Sequence, residues 1–169
     1  MYKDNIINMS EEDITKFIKG LIKEEEESND GESTEVEEVS DSSNGFRGDI
    51  IDFLSFLEGI HIVLKGLHWA ADKNAEHVLF DEIDGDVMTL LDDVAEVSMG
   101  IMDEKFGVGD LKAAECDCSD AACVLSKLND AIIDVKGKIG DDVKYCGLHS
   151  VLDDFVSKIN KWNYLRKLM

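Results

Sequence analysis

No proline interrupts the 169 residues of this chain, and along most of them apolar side chains return at helical spacing. Proline ends or kinks helices, so a chain that lacks it and repeats apolar residues every three to four positions is directed toward long helices. Leu, Ile, Val, Ala, Asp, Glu and Lys fill the runs between the glycines, and most of these residues carry little helix penalty. The length suffices for one domain with a real hydrophobic core plus an appendage. The expected fold is therefore all-α.

Charge then narrows the partners. A formal net charge of -21 argues against a nucleic-acid surface, which draws its affinity from Lys and Arg neutralising phosphates. The same charge favours solubility and attracts cations. No stretch approaches the roughly 18 consecutive apolar residues of a membrane span, and Met1-Tyr2-Lys3-Asp4 does not begin a basic-then-apolar secretion signal. The expected location is a cytoplasm, or a viral particle assembled in one.

Five helical segments and one linker are legible. Ser10-Glu11-Glu12-Asp13 has the hydroxyl cap and the acids of a helix start. Beyond it Ile14, Phe17, Ile18, Leu21 and Ile22 fall at i, i+3, i+4, i+7 and i+8, one apolar stripe on a charged helix. Such a stripe either packs on its own bundle or recruits a protein partner. From Glu24 to about Asn44 the apolar side chains are only Val36 and Val39, too few to offset the entropy of ordering. Residues 1–45 thus read as an amphipathic helix plus an acidic flexible linker, and 46–169 as a bundle. Its first helix spans Asp49 to about Ala71, and Asp72 or Asn74 caps a second that runs to about Phe106 and stops at Gly107 and Gly109. Ser119 or Asp120 opens a third, ended by Gly140, and the fourth runs from about Asp142 to Leu168. The longer second connection separates two helix pairs of a four-helix bundle.

Candidate chemistry lies on the first two bundle helices. His77 and Asp81, like Asp92 and Glu96, are i,i+4 pairs, and the eleven positions from Asp81 to Asp92 are nearly three whole turns. All four share one helix stripe. The midpoints of the two pairs are nevertheless roughly 22 Å apart along the axis, beyond one coordination sphere. A second copy of the helix, antiparallel about a two-fold passing between Asp86 and Val87, brings His77 and Asp81 of one chain to Asp92 and Glu96 of the other. His68, at the end of the first helix, adds a nitrogen to the His77 half. Two imidazoles and three carboxylates suit iron, Fe2+ or Fe3+, with zinc or manganese as substitutes. Taken singly, each of these residues is more ordinarily part of a solvated face.

The stretch Leu67-His68-Trp69, then His77-x-x-x-Asp81-Glu82, then Leu91-Asp92-Asp93-Val94-Ala95-Glu96 resembles the ferroxidase segment of the Dps-like miniferritins, which protect DNA during starvation. It is also similar to ferritin-like proteins of large DNA phages and viruses that share the His-Trp, a shortened loop and the following His and Asp. The resemblance implies a ferritin-like four-helix bundle and a homo-oligomer, at minimum a two-fold dimer. It implies a metal centre of His68, His77 and Asp81 from one subunit with Asp92 and Glu96 from its partner, oxidising Fe(II) with peroxide or oxygen. The acidic N-terminal arm stands where that family has a basic one, so DNA coating is not implied. The alternative from a different class is a non-enzymatic structural or interaction protein, for instance a phage virion component, docking through its N-terminal stripe.

Cys116, Cys118, Cys123 and Cys146 are expected to be thiols in a reducing compartment. The other reading is a soft-metal site with Cys146 as a distant fourth ligand.

Overall fold

The computed structural model describes the backbone of residues 40–169 and the side chains of residues 45–169. These residues form four helices and no strand: α1 (Ser40–Ala70), α2 (Asn74–Met102), α3 (Ala121–Ile139) and α4 (Cys146–Leu165), with 3-10 turns at Val143–Tyr145 and Arg166–Leu168. The all-α bundle expected of residues 46–169 is present. The Ile14 to Ile22 stripe and most of the acidic linker lie outside the described residues.

Helix α3 follows the sequence pattern closely. The Asp120 carboxylate accepts the Cys123 N–H at 2.8 Å, and Gly140 closes the helix at φ 69°, a conformation that favours glycine. Val124, Leu125, Leu128, Ile132, Val135 and Ile139 are all buried, as their i,i+3 and i,i+4 spacing requires.

Three boundaries differ from expectation. Helix α1 starts at Ser40, inside the stretch read as linker. Its early turns are held by tertiary contacts: Phe46 is buried with its ring centroid 4.9 Å from that of Tyr145, Arg47 donates to the Asp110 carboxylate at 2.9 Å, and Asp49 pairs with Lys138. Packing of this kind outweighs the weak helix propensity of Ser, Asn and Gly. Helix α2 ends at Met102, where Asp103 takes the left-handed conformation, so Gly107 is not its stop. The Gly107 N–H instead donates to the Asp110 carboxylate at 2.6 Å. Helix α4 begins at Cys146 because Asp142 caps the preceding 3-10 turn, accepting from the Lys144 N–H.

The helices pack in a ring, α1 on α2, α2 on α4, α4 on α3 and α3 on α1. Ala70, Ala71, Glu76, Asp120, Arg166 and Met169 line one cavity of about 370 Å³, which puts the ends of α1 and α4 and the starts of α2 and α3 at the same end of the bundle. Ring neighbours are therefore antiparallel, and α2 and α3 run parallel, so residues 103–120 must cross the length of the bundle. They do so against α1. The Ala114 N–H donates to the Ser55 carbonyl at 2.8 Å, and a Cβ on Gly59 would collide with the Ala114 carbonyl oxygen. Only glycine permits so close an approach of the crossover to that helix.

Candidate metal centre

The α1–α2 turn is short, residues 71–73, and it places the last turn of one helix against the first turn of the next. Lys73 is the N-cap of α2 in extended conformation, without a side-chain cap bond, so neither Asp72 nor Asn74 plays the expected role. The histidines on either side face each other, their ring centroids 3.7 Å apart and their planes 29° from parallel.

Each ring is anchored to the other's backbone. His68 Nδ1 lies 3.0 Å from the His77 carbonyl oxygen, and His77 Nδ1 lies 3.0 Å from the His68 carbonyl oxygen. A carbonyl only accepts, so both Nδ1 atoms carry hydrogen and in the neutral rings the lone pair sits on Nε2. The His68 carbonyl belongs to the last turn of α1, where carbonyls lack helical partners, and the His77 ring supplies one. Metal-binding histidines are commonly fixed in this way, with one ring nitrogen donating to a carbonyl or carboxylate and the other presented to the ion.

Below this pair runs a line of charge. Asp81 is exposed, with Oδ1 3.9 Å from His68 Nδ1 and 3.7 Å from Lys65 Nζ. Lys65 Nζ reaches the Asp84 carboxylate at 2.8 Å, and the other Asp84 oxygen lies 2.6 Å from His61 Nδ1. Asp84 is only 4% exposed, so its charge requires both partners. Its hydrogen bond holds the Lys65 ammonium above its ordinary pKa, with Coulombic help from Asp84 and Asp81 and against the opposing effect of desolvation.

His61, Lys65 and Asp84 are absent from the ligand set read in the sequence. Their signal was available: Asp84 interrupts the buried positions Phe80, Ile83 and Val87, and a carboxylate on such a stripe needs cations facing it. His61, Lys65 and His68 supply that face at i, i+4 and i+7.

Asp92 and Glu96 are exposed farther along α2. Within one chain His68 stacks on His77 and Asp81 stands 3.9 Å from His68 Nδ1, whereas Asp92 and Glu96 are not brought to them. Among the described residues no group of three or more His, Cys, Asp or Glu side chains is assembled to hold a metal within the chain. Trp69 and Val78 flank the histidines and are also exposed, Trp69 at 78%.

The cysteines depart from expectation. Cys118 and Cys123 form a disulfide, whereas Cys116 and Cys146 are free. Cys146 opens α4 at the end opposite the start of α3, so it cannot serve as the fourth ligand of a Cys116–Cys118–Cys123 metal site. No family model, curated protein or solved structure matches the chain. No helix among the described residues is long and apolar enough to cross a membrane.

Proposed function

We propose that this chain is a ferritin-like, Dps-type protein that binds Fe(II) as substrate and oxidises it with peroxide or oxygen at a centre shared by two copies related by a two-fold axis. The observation that carries the reading is the reciprocal anchoring of His68 and His77, which commits both Nδ1 atoms to carbonyls and leaves Nε2 of each ring as the nitrogen with the lone pair. The connectivity supports it too, since a four-helix bundle with one long crossover is the ferritin-like arrangement. Asp92 and Glu96, exposed on the same stripe of α2, are the carboxylates that a two-fold partner would bring to His77 and Asp81. In that arrangement the imidazoles hold the ferrous ion, the carboxylates favour the ferric product, and the acidic surface concentrates the cation. Zinc or manganese would occupy the same donors without turnover.

The test is aerobic Fe(II) oxidation followed by ferric absorbance, with and without peroxide, for the parent and a His77→Ala, Asp92→Ala double variant. The parent should oxidise iron rapidly and the double variant no faster than buffer. The single variants should each be inactive alone. Mixed and allowed to exchange subunits, they should regain about a quarter of the parental sites, because half the dimers become mixed and each mixed dimer has one intact centre of two. A parent as slow as buffer would sink the enzymatic reading and leave an interaction protein of ferritin-like shape.

A further inference from the structure

The disulfide joins residues only five positions apart, across the cap that starts α3. It links a helix to its own approach and holds no distant elements together. Opening it therefore does not require the bundle to separate. Cys116, Cys118 and Cys123 are each half-buried.

Lys127 organises them. It stands one turn beyond Cys123 on α3, donates to the Asp117 carbonyl at 2.9 Å, and brings its ammonium to 3.9 Å from Cys116 Sγ. Cys123 Sγ lies 3.6 Å from the same Asp117 oxygen. The free sulfur thus lies at the Lys127 ammonium, and one disulfide sulfur lies at the carbonyl that the same ammonium binds. A bond between Cys116 and Cys123 would span seven positions across this face, whereas one between Cys116 and Cys118 would have to close a ring over a single intervening residue.

We propose that this junction is a thiol–disulfide exchange site, independent of the metal centre, whose substrates are dithiols. The Cys116 thiolate attacks Cys123 Sγ, a Cys116–Cys123 bond forms, and the Cys118–Cys123 bond breaks. Cys118 leaves as a thiolate and takes up the proton that Cys116 lost, so no net oxidation occurs. A dithiol then reduces either pairing, passing two electrons and two protons to the protein and becoming a disulfide itself. Cys116 is the resident nucleophile, and Lys127 offers a positive charge to its thiolate.

The experiment uses the full chain in buffers of reduced and oxidised dithiothreitol, quenched by alkylation at intervals and mapped by peptide mass, with far-ultraviolet circular dichroism recorded throughout. The expected result is reversible opening of Cys118–Cys123 with helicity retained, together with a trapped Cys116–Cys123 pairing. Cys116→Ser should abolish that pairing and slow opening about tenfold, and Lys127→Gln should slow it as well. Equal opening rates in parent and Cys116→Ser, with Cys118–Cys123 as the only pairing trapped, would overturn the proposal. If Cys116→Ser does not fold, the parental map decides alone: a Cys116–Cys123 peptide supports exchange, and its absence at every buffer ratio overturns it.

Discussion

The α1–α2 pair and the α3–α4 pair use the same kind of apolar stripe and differ in what crosses the seam. Between α3 and α4 the interior is aliphatic and aromatic, with Leu125, Leu128, Ile132, Leu152 and Trp162 buried, and Lys136–Asp153 is the one ion pair that joins the two helices among the described residues. Between α1 and α2 the seam carries the buried Asp84 with His61 and Lys65, then Asp81, then the stacked His68 and His77. Buried ion pairs are poor sources of stability and are often replaceable by apolar residues without loss. The α1–α2 pair thus keeps a line of charge beside two anchored imidazoles, where its counterpart keeps an apolar interior and a single ion pair.

The widest expected separation between the two seams is in stability. Trp162 is 1% exposed and packs edge-on to Phe155, so Trp162→Ala should lower unfolding free energy by about 3–5 kcal/mol. Asp84→Ala should lower it by about 1–3 kcal/mol, because His61 and Lys65 lose their acceptor but stay in partial contact with water. Replacing the trio together, as His61→Leu, Lys65→Met and Asp84→Leu, should leave stability near the parental value or above it. Urea unfolding of the three proteins measures all of this. A loss in the triple variant as large as that of Trp162→Ala would break the comparison, since the charged seam would then be structural.

Much of the apolar half was legible and much of the charged half was not, for a physical reason. The buried stripe of α3, its Asp120 cap and its Gly140 stop are local features, written within a few residues of where they act. The start of α1 is different. Phe46 and Arg47 are helical because of Tyr145, Phe106 and Asp110, all distant in sequence. The spacing of His77, Asp81, Asp92 and Glu96 was visible as a helix stripe, but the mutual anchoring of His68 and His77 depends on the conformation of residues 71–73. Asp84 went unread because a single carboxylate among exposed acids looks ordinary until its burial is known. The disulfide contradicts the thiols expected of a reducing compartment, and nothing in the spacing of Cys118 and Cys123 distinguishes them from Cys116.

The crossover joins the two seams, and Gly59 governs its seat on α1. A methyl group there would meet the Ala114 carbonyl, backbone rather than a flexible side chain, so the clash is relieved only by moving the crossover. Gly59→Ala should cost about 1–3 kcal/mol despite the better helix propensity of alanine. Hydrogen exchange should report faster opening at Ala114, whose N–H is held by Ser55. An Ala substitution that stabilises the chain would mean that residues 103–120 are not seated on α1, and the parallel course of α2 and α3 would need another path.

The smallest effect separates the seams by pH. Lys65 has its pKa raised above the ordinary 10.5, first by its hydrogen bond to Asp84. The folded state therefore holds this proton more tightly than the unfolded chain, and the stability it contributes is complete below about pH 10.5 and is lost as pH rises through the raised value. Lys138 and Lys144 are also raised, by Asp134 and by Tyr145, so the alkaline loss is shared and must be apportioned by variants. Asp84→Asn removes the principal cause at Lys65 and leaves the other two lysines untouched. Its stability should fall less than the parent's between about pH 9 and pH 12 in urea titrations. Asp110 on the crossover titrates in the opposite sense. Its carboxyl lies below the ordinary 3.8, held first by the Gly107 N–H and then by Arg47, so its contribution is present above that value and is lost as pH falls through the lowered one. Asp110→Asn should flatten only the acid limb, and Asp84→Asn should flatten the alkaline one. If Asp84→Asn loses stability in alkali as steeply as the parent, the alkaline limb belongs to Lys138 and Lys144, and the charged seam contributes no pH dependence of its own there.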